Sequence, residues 1–180
     1  MKMTETPIIG AWHIEATPFV DPRGSFTRTF CQRTFAAHGL ETTFVQCNLS
    51  RNRHKATLRG LHLQTGEQSE VKLVRAVSGR IFDVAVDLRP DSPSFLRWHG
   101  IELSAGQQNA FYIPRGCAHG FITLEENSDL LYQVSHEYAP GHERGYRWDD
   151  PAFAIDWPLQ PDIISDKDRA NADFQLNQAR

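Results

Sequence analysis

The sequence of 180 residues carries only three cysteines, and they are scattered. Cys31, Cys47 and Cys117 are odd in number and form no Cys-x-x-Cys pair. That argues against a disulfide framework and against a zinc knuckle, and the three read as buried free thiols. No stretch approaches the ~20 apolar residues that span a bilayer, so no membrane partner is expected. Met1 to Gly10 lacks the apolar run of a secretory signal, which makes the cytoplasm the expected location. Basic blocks are missing too. With a formal net charge of −3 and no recognisable module, nucleic-acid binding is not expected. A few placed cations can still hold an anionic small molecule.

Helical periodicity is scarce. Gln32 to His38, stopped by Gly39, is the best helical segment, and a helical turn is expected near Asp166–Ala170. Most of the chain reads as short strands: Ile8–Ala16, Phe44–Ser50, Thr57–Gln64, Val71–Ser78, Arg80–Leu88, Trp98–Leu103, Ala110–Ile113, His119–Leu124 and Leu130–His136. Turn signals such as Asp21-Pro22-Arg23-Gly24, Pro114-Arg115-Gly116 and Pro140-Gly141 separate them. Many strands at regular spacing, with no internal boundary, predict one all-β sandwich or barrel over residues 1–180. The tail from Trp157 is expected to pack back on it.

Alternation assigns faces. Phe82, Val84, Val86 and Leu88 share one. Leu130, Tyr132 and Val134 share another. In a regular strand His62 shares its face with Leu58, Gly60 and Gln64, and Arg59 points the other way. Titratable groups inside otherwise apolar strands suit a small barrel with a lined cavity.

His62 alone reads as a core histidine. Its company changes that reading: Arg59, Lys72 and a second histidine, His119. A buried imidazole with a carboxylate partner can act as a general base. Tyr132 is by default a core β residue, Asp168 a solvated loop carboxylate and Arg23 a turn residue. Pro114, Gly116 and His119 are similar to the second motif of the cupin superfamily. In the first cupin motif the metal-binding His-x-His place is taken by His62 and Gln64, and the carboxylate place by Lys72. An ammonium repels a divalent cation, so no metal is expected there; no cofactor is expected either.

Over nearly its whole length the chain resembles the dTDP-4-dehydrorhamnose 3,5-epimerase family. The resemblance is carried by Asp21 to Phe26, Leu58 to His62, Lys72 to Arg75, Phe82 to Arg89, Ile113 to Phe121, Arg147 to Pro151, Ile155 to Pro158 and Ser165 to Asp168. Several blocks in order are far more specific than one motif. The resemblance implies an all-β, cupin-like jelly-roll barrel with a few short helices. It also implies a homodimer and inversion of C3, C5 or both in a nucleotide-diphosphate-linked 4-keto-6-deoxyhexose, as in dTDP-rhamnose biosynthesis. By the same resemblance His62 is the base, Asp168 its partner, Lys72 the cation near the ketone oxygen and Tyr132 the acid on the opposite face. Gln46, Asn48, Arg59, His119, Tyr138, Glu143 and Lys167 are then substrate-binding positions, and Arg23 reaches the partner's site.

The chain departs from that pattern at Arg28, where rhamnose-pathway members commonly carry a thymine-reading Glu. A cation cannot accept a hydrogen bond from thymine N–H, which leaves dTDP, CDP and GDP open. Glu70 and Cys117 also replace more usual residues. A single-centre epimerase or ketoisomerase, a metal-dependent cupin enzyme and a non-catalytic sugar-binding barrel stay open as alternatives.

Overall fold

The computed structural model describes residues 1–176. In chain order its elements are β1 (Lys2–Glu5), β2 (Trp12–Glu15), β3 (Phe19–Asp21), β4 (Gly24–Phe26), α1 (Gln32–Ala37), β5 (Gln46–Asn52) and β6 (Thr57–Gln64). A 3-10 turn at Gly66–Gln68 leads to β7 (Lys72–Ser78), β8 (Arg80–Asp87), β9 (Trp98–Ser104), β10 (Ala110–Ile113) and β11 (Cys117–Thr123). Then come β12 (Ser128–Val134), β13 (Glu143–Gly145), β14 (Ile163–Ile164) and α2 (Asp166–Arg169). The strands form two larger sheets, in orders β1-β2-β10-β7-β12-β5 and β13-β6-β11-β8-β9, with β14 added parallel to β6. Neighbours distant in sequence and a mostly antiparallel ladder are those of a cupin-like jelly roll.

The β8 alternation places its side chains on two faces. Phe82, Val84, Val86 and Leu88 pack outward beneath Tyr146, Phe153, Phe174 and Trp157 of the C-terminal segment. Ile81 and Ala85 point inward, meeting Val74, Leu103, Phe111, Ile113 and Leu130. Each fully buried aliphatic or aromatic side chain stabilises the fold by roughly 1.5–3 kcal/mol. On the outside of the first sheet, Phe35 of α1 covers Ile14, Leu73 and Tyr112.

The structure corrects three expectations. The first predicted strand begins only at Trp12, because Gly10 takes a positive φ of 80° and Ala11 N–H turns back to Ile8 O. Of the thiols only Cys117 is buried. Cys47, between inward Gln46 and Asn48, faces outward and is exposed. The third correction concerns β6. Against β11, His62 pairs with His119 and Arg59 with Phe121, so three steps on β6 match two on its neighbour. The extra residue is a bulge at Gly60, whose φ of 120° suits glycine alone. It reverses the alternation. Leu58, Leu61 and Leu63 all face the outer clusters, and Arg59 joins His62 and Gln64 on the inner side instead of opposing them.

Candidate active site

The aliphatic core fills the interior between β10-β7-β12 and β11-β8-β9. Toward the β5 and β6 side the interior stays open as a cavity of about 600 Å³, a size that suits a small ligand. Every residue named above as a site position lines it, except Arg23. Arg23 lies at the turn of the β3–β4 hairpin, its side chain 90% exposed and paired with Asp21.

His62 and His119 are cross-strand neighbours, so their imidazoles project into the cavity from adjacent strands. Each is tethered through Nε2 to its own carboxylate: His62 to Asp168 Oδ1 at 2.6 Å, and His119 to Asp83 Oδ1 at 2.7 Å. Asp168 is not the solvated loop carboxylate of the default reading. It sits in α2, capped by Ser165, whose Oγ accepts from Asp168 N–H at 3.1 Å, and its side chain is 5% exposed. Its Oδ2 accepts from Gly60 N–H at 3.3 Å, so the bulge that redirects Arg59 also supplies a donor to the dyad. Burial opposes ionisation of Asp168. The hydrogen bond and charge of His62, with the Gly60 and Ser165 donors, outweigh it and hold the carboxyl below the usual range. With Asp168 ionised, Nε2 is the donor of the pair, so in the neutral ring Nδ1 is the nitrogen with the free lone pair.

Asp83 behaves oppositely. It is fully buried, and burial drives its pKa upward despite His119 and the more distant charge of Lys72. Among the described residues its second oxygen has no partner. The two dyads thus have the same parts in different electrostatic settings.

Across the cavity the first sheet presents Lys72 and Tyr132. Lys72 opens β7, with Val134 of β12 and Ile113 of β10 as register partners. Its ammonium pairs with the buried Glu70. Tyr132 stands on β12 between Asn48 and Val74, and burial raises its phenol pKa, Arg59 opposing this and Glu70 adding to it. His62 and Tyr132 therefore come from opposing sheets. Gln46 and Asn48 are joined by a 2.9 Å hydrogen bond, and Arg59 Nε donates to Asn52 Oδ1 at 2.8 Å. At the rim Lys167 Nζ donates to Glu143 Oε2 at 2.5 Å, beside the exposed Tyr138.

Sequence reasoning gave no role to Glu70, Asp83 or Ser165, and considered Gln64 only at the cupin His-x-His metal place. Alternation held a signal for the first two: Glu70 lies two residues before Lys72, and Asp83 lies between the outward Phe82 and Val84. Gln64 ties the cavity rim, donating to Gln68 O and Glu137 O and accepting from Ala139 N–H at 2.6 Å. Among the described residues no group of three or more His, Cys, Asp or Glu side chains is arranged to hold a metal ion.

The chain matches the family model described as dTDP-4-dehydrorhamnose 3,5-epimerase over residues 5–175. It is 46% identical over 176 residues to the dTDP-4-dehydrorhamnose 3,5-epimerase of Pseudomonas aeruginosa, covering 97% of this chain and 96% of that protein. Among solved structures it is similar to the Bacillus anthracis dTDP-4-dehydrorhamnose 3,5-epimerase with TDP and PPi bound. There the TM-score is 0.92 and identity 39%, covering 96% of this chain and 99% of that one. It is also similar to the Legionella pneumophila dTDP-6-deoxy-D-glucose-3,5-epimerase in complex with dTDP-4-keto-L-rhamnose, at TM-score 0.89 and 40% identity. That match covers 98% of this chain and 93% of the other.

Proposed function

Because the chain belongs to the dTDP-4-dehydrorhamnose 3,5-epimerase family, we propose that it inverts C3 and C5 of a dTDP-linked 4-keto-6-deoxyhexose by proton removal and return beside the ketone. The observation that carries this reading is the pairing of a carboxylate-backed imidazole on one sheet with a phenol and an ammonium on the other, around one cavity. A C4 ketone acidifies the neighbouring C–H bonds. His62 Nδ1 takes a proton, and the electron pair moves onto the C4 oxygen. The Lys72 ammonium stabilises that enolate. Asp168 keeps the ring in the tautomer with Nδ1 free and stabilises the imidazolium that forms. Tyr132 delivers its hydroxyl proton to the other face of the planar carbon, the C–H bond re-forms, and exchange with solvent returns both groups to their starting states. The net change is configuration alone, so the step consumes no oxidant or reductant.

Arg59, His119, Gln46, Asn48, Tyr138, Glu143 and Lys167 are assigned to substrate binding. Their mixture of cations and amides around the opening suits a diphosphate and sugar hydroxyls. Arg23 is assigned to the site of a second copy in a homodimer. Supporting this, its hairpin leaves Phe19, Val20 and Phe26 at 73%, 76% and 70% exposure. An isolated two-stranded hairpin is marginal in water, and such an apolar surface suits a protein partner. No helix among the described residues is long and apolar enough to cross a membrane. Three free cysteines fit the cytoplasmic placement read from the sequence.

The test is incubation with dTDP-, CDP- and GDP-linked 4-keto-6-deoxyglucose in deuterated water, followed by proton NMR. Deuterium at both C3 and C5 of the dTDP sugar, with inversion at each, is expected. Exchange at one carbon only would make it a single-centre enzyme, and no exchange with any of the three sugars would end the proposal.

A further inference from the structure

Glu70 is a buried carboxylate in the cavity wall that the mechanism above does not use. Its place follows from the ladder. Ser135 N–H donates to Val71 O at 3.1 Å and Val71 N–H to Ser135 Oγ at 2.8 Å, which continues the β7 pairing one residue past the strand's start. Alternation then sends Glu70 and Lys72 to the same side. Glu70 Oε1 accepts from the Lys72 ammonium, the side chains being only 6% and 10% exposed. Among the described residues that is the one side-chain hydrogen bond of the ammonium, and none of them partners the buried Glu70 Oε2. A flexible four-carbon side chain needs an anchor if its charge is to meet a reacting oxygen at a fixed point, and a misplacement of ~1 Å can cost ~100-fold in rate.

We propose that Glu70 is a positioning residue that holds the Lys72 ammonium against the cavity wall, leaving its remaining N–H donors for the substrate oxygen. This rests on the role given to Lys72 above. Glu70 acts through an acceptor oxygen, so an amide serves where a methyl does not. The carboxylate in turn depends on Lys72, because a buried charge stripped of its partner is strongly destabilising, whereas losing both charges together is far better tolerated.

The experiment compares E70Q, E70A, K72M and E70Q/K72M, each made in the full chain. Solvent-deuterium exchange into a dTDP-linked 4-keto-6-deoxyhexose and thermal unfolding are measured on all four. In E70A the exchange rate falls by about 10- to 100-fold, chiefly in kcat, and E70Q recovers most of that loss. K72M melts below the wild type, and adding E70Q to it raises the melting temperature. Wild-type exchange in E70A, equal losses in E70A and E70Q, or a double variant that melts no higher than K72M would each overturn the proposal. The unfolding measurement involves no substrate. If the wild type exchanges no proton, the functional reading fails, while the melting series still decides whether the two side chains depend on each other.

Discussion

Replacing Asp168 by asparagine removes one charge and almost no volume, yet the structure predicts a large effect. The carboxylate serves two donors: His62 Nε2–H on Oδ1 at 2.6 Å and Gly60 N–H on Oδ2 at 3.3 Å. An amide has a single oxygen. Gly60 is backbone at a bulge and cannot change its role, so the oxygen stays with it and the NH₂ faces the imidazole. His62 Nε2 must then accept, which moves the ring hydrogen to Nδ1, the nitrogen that would take the substrate proton. General-base catalysis is typically worth ~10²–10⁴-fold, and the reversed tautomer forfeits most of that range. At about 1.36 kcal/mol per tenfold, the barrier rises by about 2.7–5.4 kcal/mol. The assay is solvent-deuterium exchange into the 4-keto sugar, with circular dichroism to show that D168N keeps its strands. Exchange within about tenfold of the wild type by a folded D168N protein would refute the tautomer argument.

The same carboxylate sets a pH dependence. Its folded pKa lies below the ordinary value, so its stabilisation is fully present above about pH 4 and is lost as pH falls through the lowered value. Denaturant titrations from pH 6 downward should show the stability difference between wild type and D168N shrinking only below about pH 4. A G60A variant would place a methyl 2.6 Å from Gly120 Cα and 2.8 Å from His119 O, at a φ of 120°. Chemical denaturation should show a loss of about 2 kcal/mol or more, and the variant should also lose activity as Arg59 turns out of the cavity. Burial pushes the Cys117 thiol up to about 12, whereas Cys47 is exposed. A thiol-reactive dye at pH 8 should therefore label Cys47 in the native protein and Cys117 only after unfolding, as read by peptide mass mapping. For the dimer, mixtures of the separately inactive R23A and H62A proteins should regain about a quarter of wild-type sites after subunit exchange, and no recovery would place Arg23 in its own subunit's function.

Much of the fold was legible because it rests on local patterns. The face of Phe82, Val84, Val86 and Leu88 follows from a period of two, and the helical turn expected near Asp166–Ala170 is α2, Asp166–Arg169. Two of the failures share a cause, backbone that leaves the regular period. Gly10 bends what read as one strand, and the bulge at Gly60 carries Arg59 to the face opposite its parity. Alternation cannot see such shifts, since glycine inside a strand signals a bulge without giving its direction. The short strands β1, β3, β4, β13 and β14 were missed, as two to four residues hold too little pattern. At the site, residue types and their order pointed to His62, Lys72, Tyr132 and Asp168, but the partners of the charges did not follow from them. That Lys72 meets Glu70, and that His119 meets Asp83 rather than Asp168, depends on tertiary packing.

In the proposed mechanism a proton leaves one face of the sugar to His62 and arrives at the other from Tyr132. The stereochemistry of deuterium uptake by H62A and Y132F tests it most directly. H62A should exchange no proton beside the ketone, whereas Y132F should exchange it with retention and form no epimer. Epimer formed by Y132F at the wild-type rate, or exchange by H62A at the wild-type rate, would contradict it.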